Sequence, residues 1–175
     1  MQFISRNKGN ILIALIALIA IIGFSACKNK VVQEEQPIYT FVAAGHAYGN
    51  PDTYTSSVYP PLLDKLDSLI AIRTLDLLVL TGDVVAHPTP ENWETVRAEL
   101  DSLAIGEWHI SPGNHDISPY MDAHIQSEKY MALERENSLF LVLNTSFPGW
   151  TVDSVQAEFI GTQLSKADSI DHIFV

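Results

Sequence analysis

The run Leu75-Asp76-Leu77-Leu78-Val79-Leu80 is the feature that most narrows what this chain can become. So short and apolar a stretch reads as a buried strand, the kind found in sheets covered by helices. It stops at Thr81-Gly82-Asp83. Further on, Trp108-His109-Ile110 forms a second short run that stops at Pro112-Gly113-Asn114-His115-Asp116. The segment between them has helical spacing, so the unit is strand, helix, strand, with polar residues at both strand tips. In open α/β sheets ligands bind in the crevice beyond the carboxyl ends of the strands. Asp83 and Asn114 offer oxygen donors for a hard or borderline cation, and His115 offers an imidazole for ligation or proton transfer. The residues have the chemistry of a metal site.

The remaining elements extend the pattern. Ile38–Ala44 reads as a first strand ending at Gly45-His46-Ala47-Tyr48-Gly49, and a loop over 49–60 follows it, bracketed by Asn50-Pro51-Asp52 and Pro60-Pro61. Leu62, Leu63, Leu66, Leu69 and Ile70 recur at helical spacing and predict an amphipathic helix. Thr89 suits the cap of the next helix, Pro90 its first turn and Glu91 its positive end. Trp93, Val96, Leu100 and Leu103 mark that helix's buried stripe. A strand over 107–111 comes next. Residues 118–135 are mixed and read as a lid-like loop with a short helix. After the polar turn Arg135-Glu136-Asn137, Ser138–Asn144 reads as a strand, Ser154–Ala167 as a helix and His172–Val175 as the start of another strand. This alternation predicts an α/β fold with a largely parallel or mixed sheet. The end falls inside an apolar strand, so the domain is expected to continue beyond Val175, with only part of its site in this sequence.

The first 26 residues read as a targeting segment. Arg6 and Lys8 precede the uncharged run Ile11–Phe24, which is too short to span a bilayer comfortably, and Ser25-Ala26 stand before Cys27. The pattern resembles a bacterial lipoprotein signal, which implies a lipid on Cys27. The alternative is an uncleaved N-terminal anchor. Either places the rest outside the cytoplasm, in the cell envelope, periplasmic or at the outer membrane. Residues 27–37 are polar and aperiodic and read as a tether. Cys27 is the only cysteine, which excludes internal disulfides and thiolate chemistry from residues 38–175. The net charge is −11, and −13 once Arg6 and Lys8 are removed. So acidic a body is not expected to bind nucleic acid.

Gly82-Asp83 and Gly113-Asn114-His115-Asp116, each after a buried strand, resemble the second and third motifs of the calcineurin-like metallophosphoesterases. Pro112, Asn144-Thr145 and Gln163-Leu164 support the match, which runs from about Ile38 to Val175. The resemblance implies the N-terminal part of a four-layer α/β/β/α sandwich with a mixed sheet and a two-metal centre. Asp83 would bridge the metals and Asn114 would ligate the second. His115 would contact the substrate phosphate as general acid or electrostatic stabiliser, and Asp116 would orient His115 through its ring N–H. Two cations about 4 Å apart polarise a phosphate and generate hydroxide near neutral pH. A carboxylate partner fixes which imidazole nitrogen carries the proton.

The first motif departs from the family pattern, which has an Asp and a His two residues apart. Aligned on Gly45 and Gly49, His46 stands at the Asp position and Tyr48 at the His position. An alternative register keeps His46 as the histidine and puts Ala44 at the Asp position. Either way a carboxylate is lost. His46 and Tyr48 then serve as altered ligands, with Tyr48 as a phenolate or outer-shell donor. Otherwise one metal sits on Asp83 and Asn114 alone, or catalysis is lost and the fold persists. A less anionic site favours Zn, Mn or Fe over magnesium. Among the other histidines, His87 lies near enough to Asp83 to reach the cleft, though a solvated loop residue explains it equally. His109 is expected to face a sheet layer, His124 to sit in the lid, and His172 at the entrance to the last strand. Trp150 reads as a packed loop aromatic or a pocket wall. The expected function is hydrolysis of a phosphoester substrate by metal-activated water, on a protein held to the membrane through Cys27. The alternative is a catalytically degenerate binding or scaffold module.

Overall fold

The structure, a computed structural model, describes residues 39–50, 57–146 and 151–175. The chain divides into two units, Met1–Gln36 and Pro37–Val175. The expected signal segment, Cys27 and the tether lie outside the described residues, as do Pro51-Asp52 and Trp150.

The first of two three-stranded sheets contains β1 (Phe41–Ala44), β2 (Leu75–Thr81) and β3 (Ile105–Ser111), all parallel and in that order. Parallel neighbours need a crossover connection, and two helices supply it. α1 (Pro60–Ile70) joins β1 to β2, and α2 (Pro90–Ser102) joins β2 to β3. The central place of β2 explains its apolar run, since it pairs on both edges and is covered on both faces. Leu78 and Leu80 share a core with Leu66 of α1 and with Trp93, Val96 and Leu100 of α2. Leu77 and Val79, on the other face, share a second core with Phe140 and Val142. Thr89 caps α2 as expected, accepting from the Asn92 N–H at 3.3 Å.

Phe140 and Val142 belong to the second sheet, of β4 (Met131–Arg135), β5 (Ser138–Val142) and β6 (His172–Phe174). β5 pairs antiparallel with β4 and parallel with β6. The two sheets stack as the expected α/β/β/α sandwich has them, and the second is the mixed one. Phe41, Phe140 and Phe174 pack ring against ring between them at 4.8 to 4.9 Å. α3 (Ser154–Leu164) attaches on the side of the second sheet, through buried Gln156 and through Phe159, whose ring meets that of Tyr130. The order of layers, helices, sheet, sheet, helix, is that of the expected sandwich.

Within 118–135 the expected short helix is present, with Met121–Ile125 of π type, whereas Met131–Arg135, read as loop, is a strand hidden by its weak alternation. The β4–β5 turn is the polar one expected, with Glu136 at φ 52°.

Glu99 of α2 pins the chain before α1, its carboxylate accepting from the Val58 N–H at 3.0 Å. Burial raises its pKa, and the bonds from Val58 and Ser57 only partly oppose this. The folded state therefore favours the protonated form, so stability falls as pH rises through the carboxylate range. Glu99→Gln keeps an acceptor and removes the charge. Urea unfolding at about pH 4 and about pH 7 is expected to show the variant gaining on wild type at the higher pH. An equal difference at both would contradict this assignment.

Candidate functional site

Parallel pairing brings the carboxyl ends of β1, β2 and β3 to one edge of the sheet, so three turns meet there. Main-chain bonds join the first two. The His46 N–H donates to the Gly82 carbonyl at 2.9 Å, and the Tyr48 N–H donates to the Asp83 carbonyl at 3.1 Å. Asp116, fully buried, joins the second and third. Its Oδ1 accepts from the Val84 N–H at 2.8 Å and the Val85 N–H at 3.1 Å, while Oδ2 accepts from the Gly113 N–H at 2.7 Å. Burial raises the Asp116 pKa, the three N–H groups pull it back, and the nearby Asp83 charge adds to the rise.

The turns cross closer than side chains allow. A Cβ on Gly82, which has φ 87°, would lie 3.1 Å from the Gly113 Cα, and one on Gly113 would land on the Asp83 amide and carboxylate. Only glycine fits at this crossing. Asp83 and His46 both take φ 54°, a left-handed backbone that costs each roughly 1–2 kcal/mol. Strain of this kind concentrates at functional sites, where the surrounding structure holds it.

The crossing opens on a cavity of about 280 Å³ whose wall includes His46, Asp83 and Asn114. Asp83 Oδ2 lies 3.4 Å from His46 Nδ1. Asp83 Oδ1 accepts from the His115 N–H at 3.5 Å, at the limit of a hydrogen bond. Thus three of the residues expected as metal ligands share one wall. The rest of it carries the hydroxyl residues Thr81, Ser111, Thr145 and Ser146, which the sequence reading did not single out as site residues. Their signal was position: each lies at or just past the carboxyl end of a strand.

Two expected roles change. The His115 ring is held by Ala86, whose carbonyl lies 2.9 Å from Nδ1. A carbonyl only accepts, so Nδ1 carries the proton and Nε2 is left for other work. Asp116 spends its carboxylate on main-chain N–H groups and does not orient this ring. Tyr48 is only 4 % exposed and is not part of the cavity wall. Its ring lies 4.4 Å from that of His46 and 5.6 Å from that of His115. Burial first, then the charges of Asp83 and Asp116, push its pKa up. Tyr48 packs beside the two imidazoles, and the reading of it as a direct metal ligand does not match its position.

The other histidines stand apart from the cavity. His109 faces Glu107 at 3.4 Å, and Glu107 in turn pairs with Arg135 of the second sheet. His124 stacks on Tyr120, and His172 lies exposed within β6. His87 is exposed in the loop before α2.

The family model for calcineurin-like phosphoesterases matches residues 46–173. The chain belongs to the calcineurin-like phosphoesterase family. It is also similar to a 3',5'-cyclic-nucleotide phosphodiesterase of Nostoc sp. (strain PCC 7120 / SAG 25.82 / UTEX 2576), with 35% identity over 98 residues. That match covers 54% of this chain and 35% of the relative. Calcineurin-like phosphoesterases use divalent metal ions. The cavity of this family member offers an imidazole nitrogen, a carboxylate and a carboxamide oxygen, a donor set suited to one cation of borderline hardness. Among the described residues no three His, Cys, Asp or Glu side chains gather as a fuller cage.

Asp116→Asn tests the tie between the turns. The amide retains one acceptor for Val84 and Val85 but sets an NH₂ group against the Gly113 N–H. Urea unfolding is expected to show a loss of about 1–3 kcal/mol. No measurable loss would mean that the carboxylate does not hold the crossing together.

Proposed function

We propose that this protein is a metal-dependent phosphoester hydrolase, acting on a phosphomonoester or phosphodiester and anchored in the bacterial cell envelope by a lipid on Cys27. The observation that carries the catalytic part is the convergence of Asp83, Asn114 and His46 on one cavity at the strand ends. The Nostoc relative's name as a cyclic-nucleotide phosphodiesterase makes a diester the first substrate to try. The anchoring part rests on Arg6, Lys8, the apolar run Ile11–Phe24 and Ser25-Ala26 before Cys27.

In this reading Asp83, Asn114 and His46 hold the cation, which when bound offsets phosphate charge and acidifies water. Asp83 supplies the one negative charge among these three, so zinc, manganese or iron suits the site better than magnesium. His115, its Nδ1–H held by the Ala86 carbonyl and its ring beside rather than on the cavity wall, acts as general acid only as the imidazolium, giving the leaving oxygen the second proton, carried on Nε2. Asp116 keeps the Gly113-Asn114 turn against Val84 and Val85, so the ligands stay aligned as charge moves.

A second reading, a scaffold that keeps the fold without catalysis, is favoured by one observation: His46 and Tyr48 occupy the positions where the resemblance calls for Asp and His. Calorimetric titration of the full chain with Mn²⁺ and Zn²⁺ separates the two, together with hydrolysis of bis(p-nitrophenyl) phosphate and p-nitrophenyl phosphate. The hydrolase reading expects cation binding that Asp83→Asn abolishes and His46→Ala weakens by about 10- to 100-fold, with hydrolysis falling in step. Neither cation binding nor hydrolysis in the wild type would establish the scaffold. The anchor is tested separately: Cys27→Ser is expected to move the protein from the membrane fraction to the soluble one.

A further inference from the structure

The fourth side of the cavity comes from the chain just after β5, and one buried side chain organises it. Gln156 of α3 is fully buried. Its Oε1 accepts from the Asn144 N–H at 2.8 Å, and its Nε2 donates to the Asn144 carbonyl at 2.9 Å. Both main-chain groups of one residue are thus paired by one amide, a strand-like clamp made by a side chain. Gln156 is held in turn by the Asp153 cap, whose Oδ1 accepts from the Gln156 N–H at 2.8 Å. Downstream, Asn144 Oδ1 accepts from the Ser146 N–H at 2.9 Å. The Ser146 hydroxyl donates to the Pro112 carbonyl, and the Ser111 hydroxyl donates to the Leu143 carbonyl. The segment 143–146 is stitched to the Pro112-Gly113 turn on one side and to α3 on the other.

Between the two stitched residues stands Thr145. It is exposed, on the cavity wall, with Asn144 and Ser146 fixed on either side. Ser111 and Ser146 use their hydroxyls to hold backbone carbonyls, whereas no protein acceptor takes the Thr145 hydroxyl among the described residues. An exposed hydroxyl beside a cation site, on a backbone held by a buried clamp, has the chemistry of a donor to a phosphoryl oxygen.

We propose that Thr145 is a substrate-contacting residue that donates to the phosphoester oxygens in the Asp83/Asn114 cavity, and that Gln156 is the positioning residue that sets it there. This rests on the hydrolase reading above. It assigns Thr145 to substrate binding and not to the cation, so the two can be separated by measurement.

The test uses Thr145→Val, Thr145→Ser and Gln156→Leu, with Mn²⁺ affinity by calorimetry and kcat and KM on bis(p-nitrophenyl) phosphate. Thr145→Val, which keeps the shape and removes the hydroxyl, is expected to raise KM or lower kcat/KM about tenfold while Mn²⁺ affinity is unchanged. Thr145→Ser is expected to retain most of the wild-type kcat/KM. Gln156→Leu is expected to lower kcat/KM by a similar factor, and the double variant with Thr145→Val to be no worse than the more impaired single one. Thr145→Val acting like wild type overturns the proposal even if Gln156→Leu fails to fold, because Thr145 is a surface residue. Losses that multiply in the double variant remove Gln156's positioning role. A wild type that neither hydrolyses the diester nor binds inorganic phosphate in the presence of Mn²⁺ overturns the hydrolase reading and this inference together. A wild type that hydrolyses it with Thr145→Val unaffected overturns this inference alone.

Discussion

The fold of the candidate site depends on one buried carboxylate. Asp116 has no exposure and sits among main-chain N–H groups from two different turns. Burying a charge costs several kcal/mol. Three hydrogen bonds to an ionised acceptor return about 1.5–3 kcal/mol each. The two sums are of similar size, and burial together with the nearby Asp83 charge leaves the Asp116 pKa raised. What distinguishes aspartate from asparagine here is that it can accept from all three N–H groups at once. What it supplies is a fixed distance between the turn after β2 and the turn after β3, set by bonds from both ends of one rigid group.

That group has something to fix only because the first sheet is parallel. In an antiparallel sheet neighbouring strands end on opposite edges, whereas β1, β2 and β3 all run out on the same one. Parallel pairing demands crossover helices, and α1 and α2 bury one face of β2 with Leu66, Trp93, Val96 and Leu100. The other face needs a second cover. The second sheet provides it through Phe140 and Val142, and the same sheet carries β5, whose continuation brings Thr145 and Ser146 to the cavity. The layer that completes the core thus also completes the wall of the site.

What the sequence made legible follows from this. β2 announced itself by apolarity, α2 by Thr89-Pro90 and its stripe, and the strand tips by Gly82-Asp83 and Gly113–Asp116. The convergence of His46, Asp83 and Asn114 was also readable, because strand polarity alone carries these residues to a common edge. β4 was not readable: Met131-Ala132-Leu133-Glu134-Arg135 lies half-buried at a sheet edge, with an alternation too weak to mark a face. The division into two sheets came from the family resemblance and not from periodicity, since a strand's residues do not say which neighbour it will choose. The role of Asp116 was misread for a related reason. Its partners are backbone groups, which every sequence has, and only the fold brings them within reach. Gln156 was invisible in the same way, a polar residue in a helix whose partner is the main chain of Asn144.

The exchange at the first motif has a consequence that follows from charge alone. With His46 facing Asp83 at 3.4 Å, the cavity places one neutral or cationic ring beside one carboxylate where two carboxylates would repel each other. A pair of acids so close is stable only with cations between them. An imidazole–carboxylate pair needs no cation to coexist, so this wall is free of that repulsion before any metal arrives. The proposed site would hold its cation less tightly than one with two carboxylates, because each anionic ligand removed takes away part of the attraction that offsets dehydration of the ion. The left-handed backbone of His46 and Asp83, both at φ 54°, is held by main-chain bonds and by the glycine crossing.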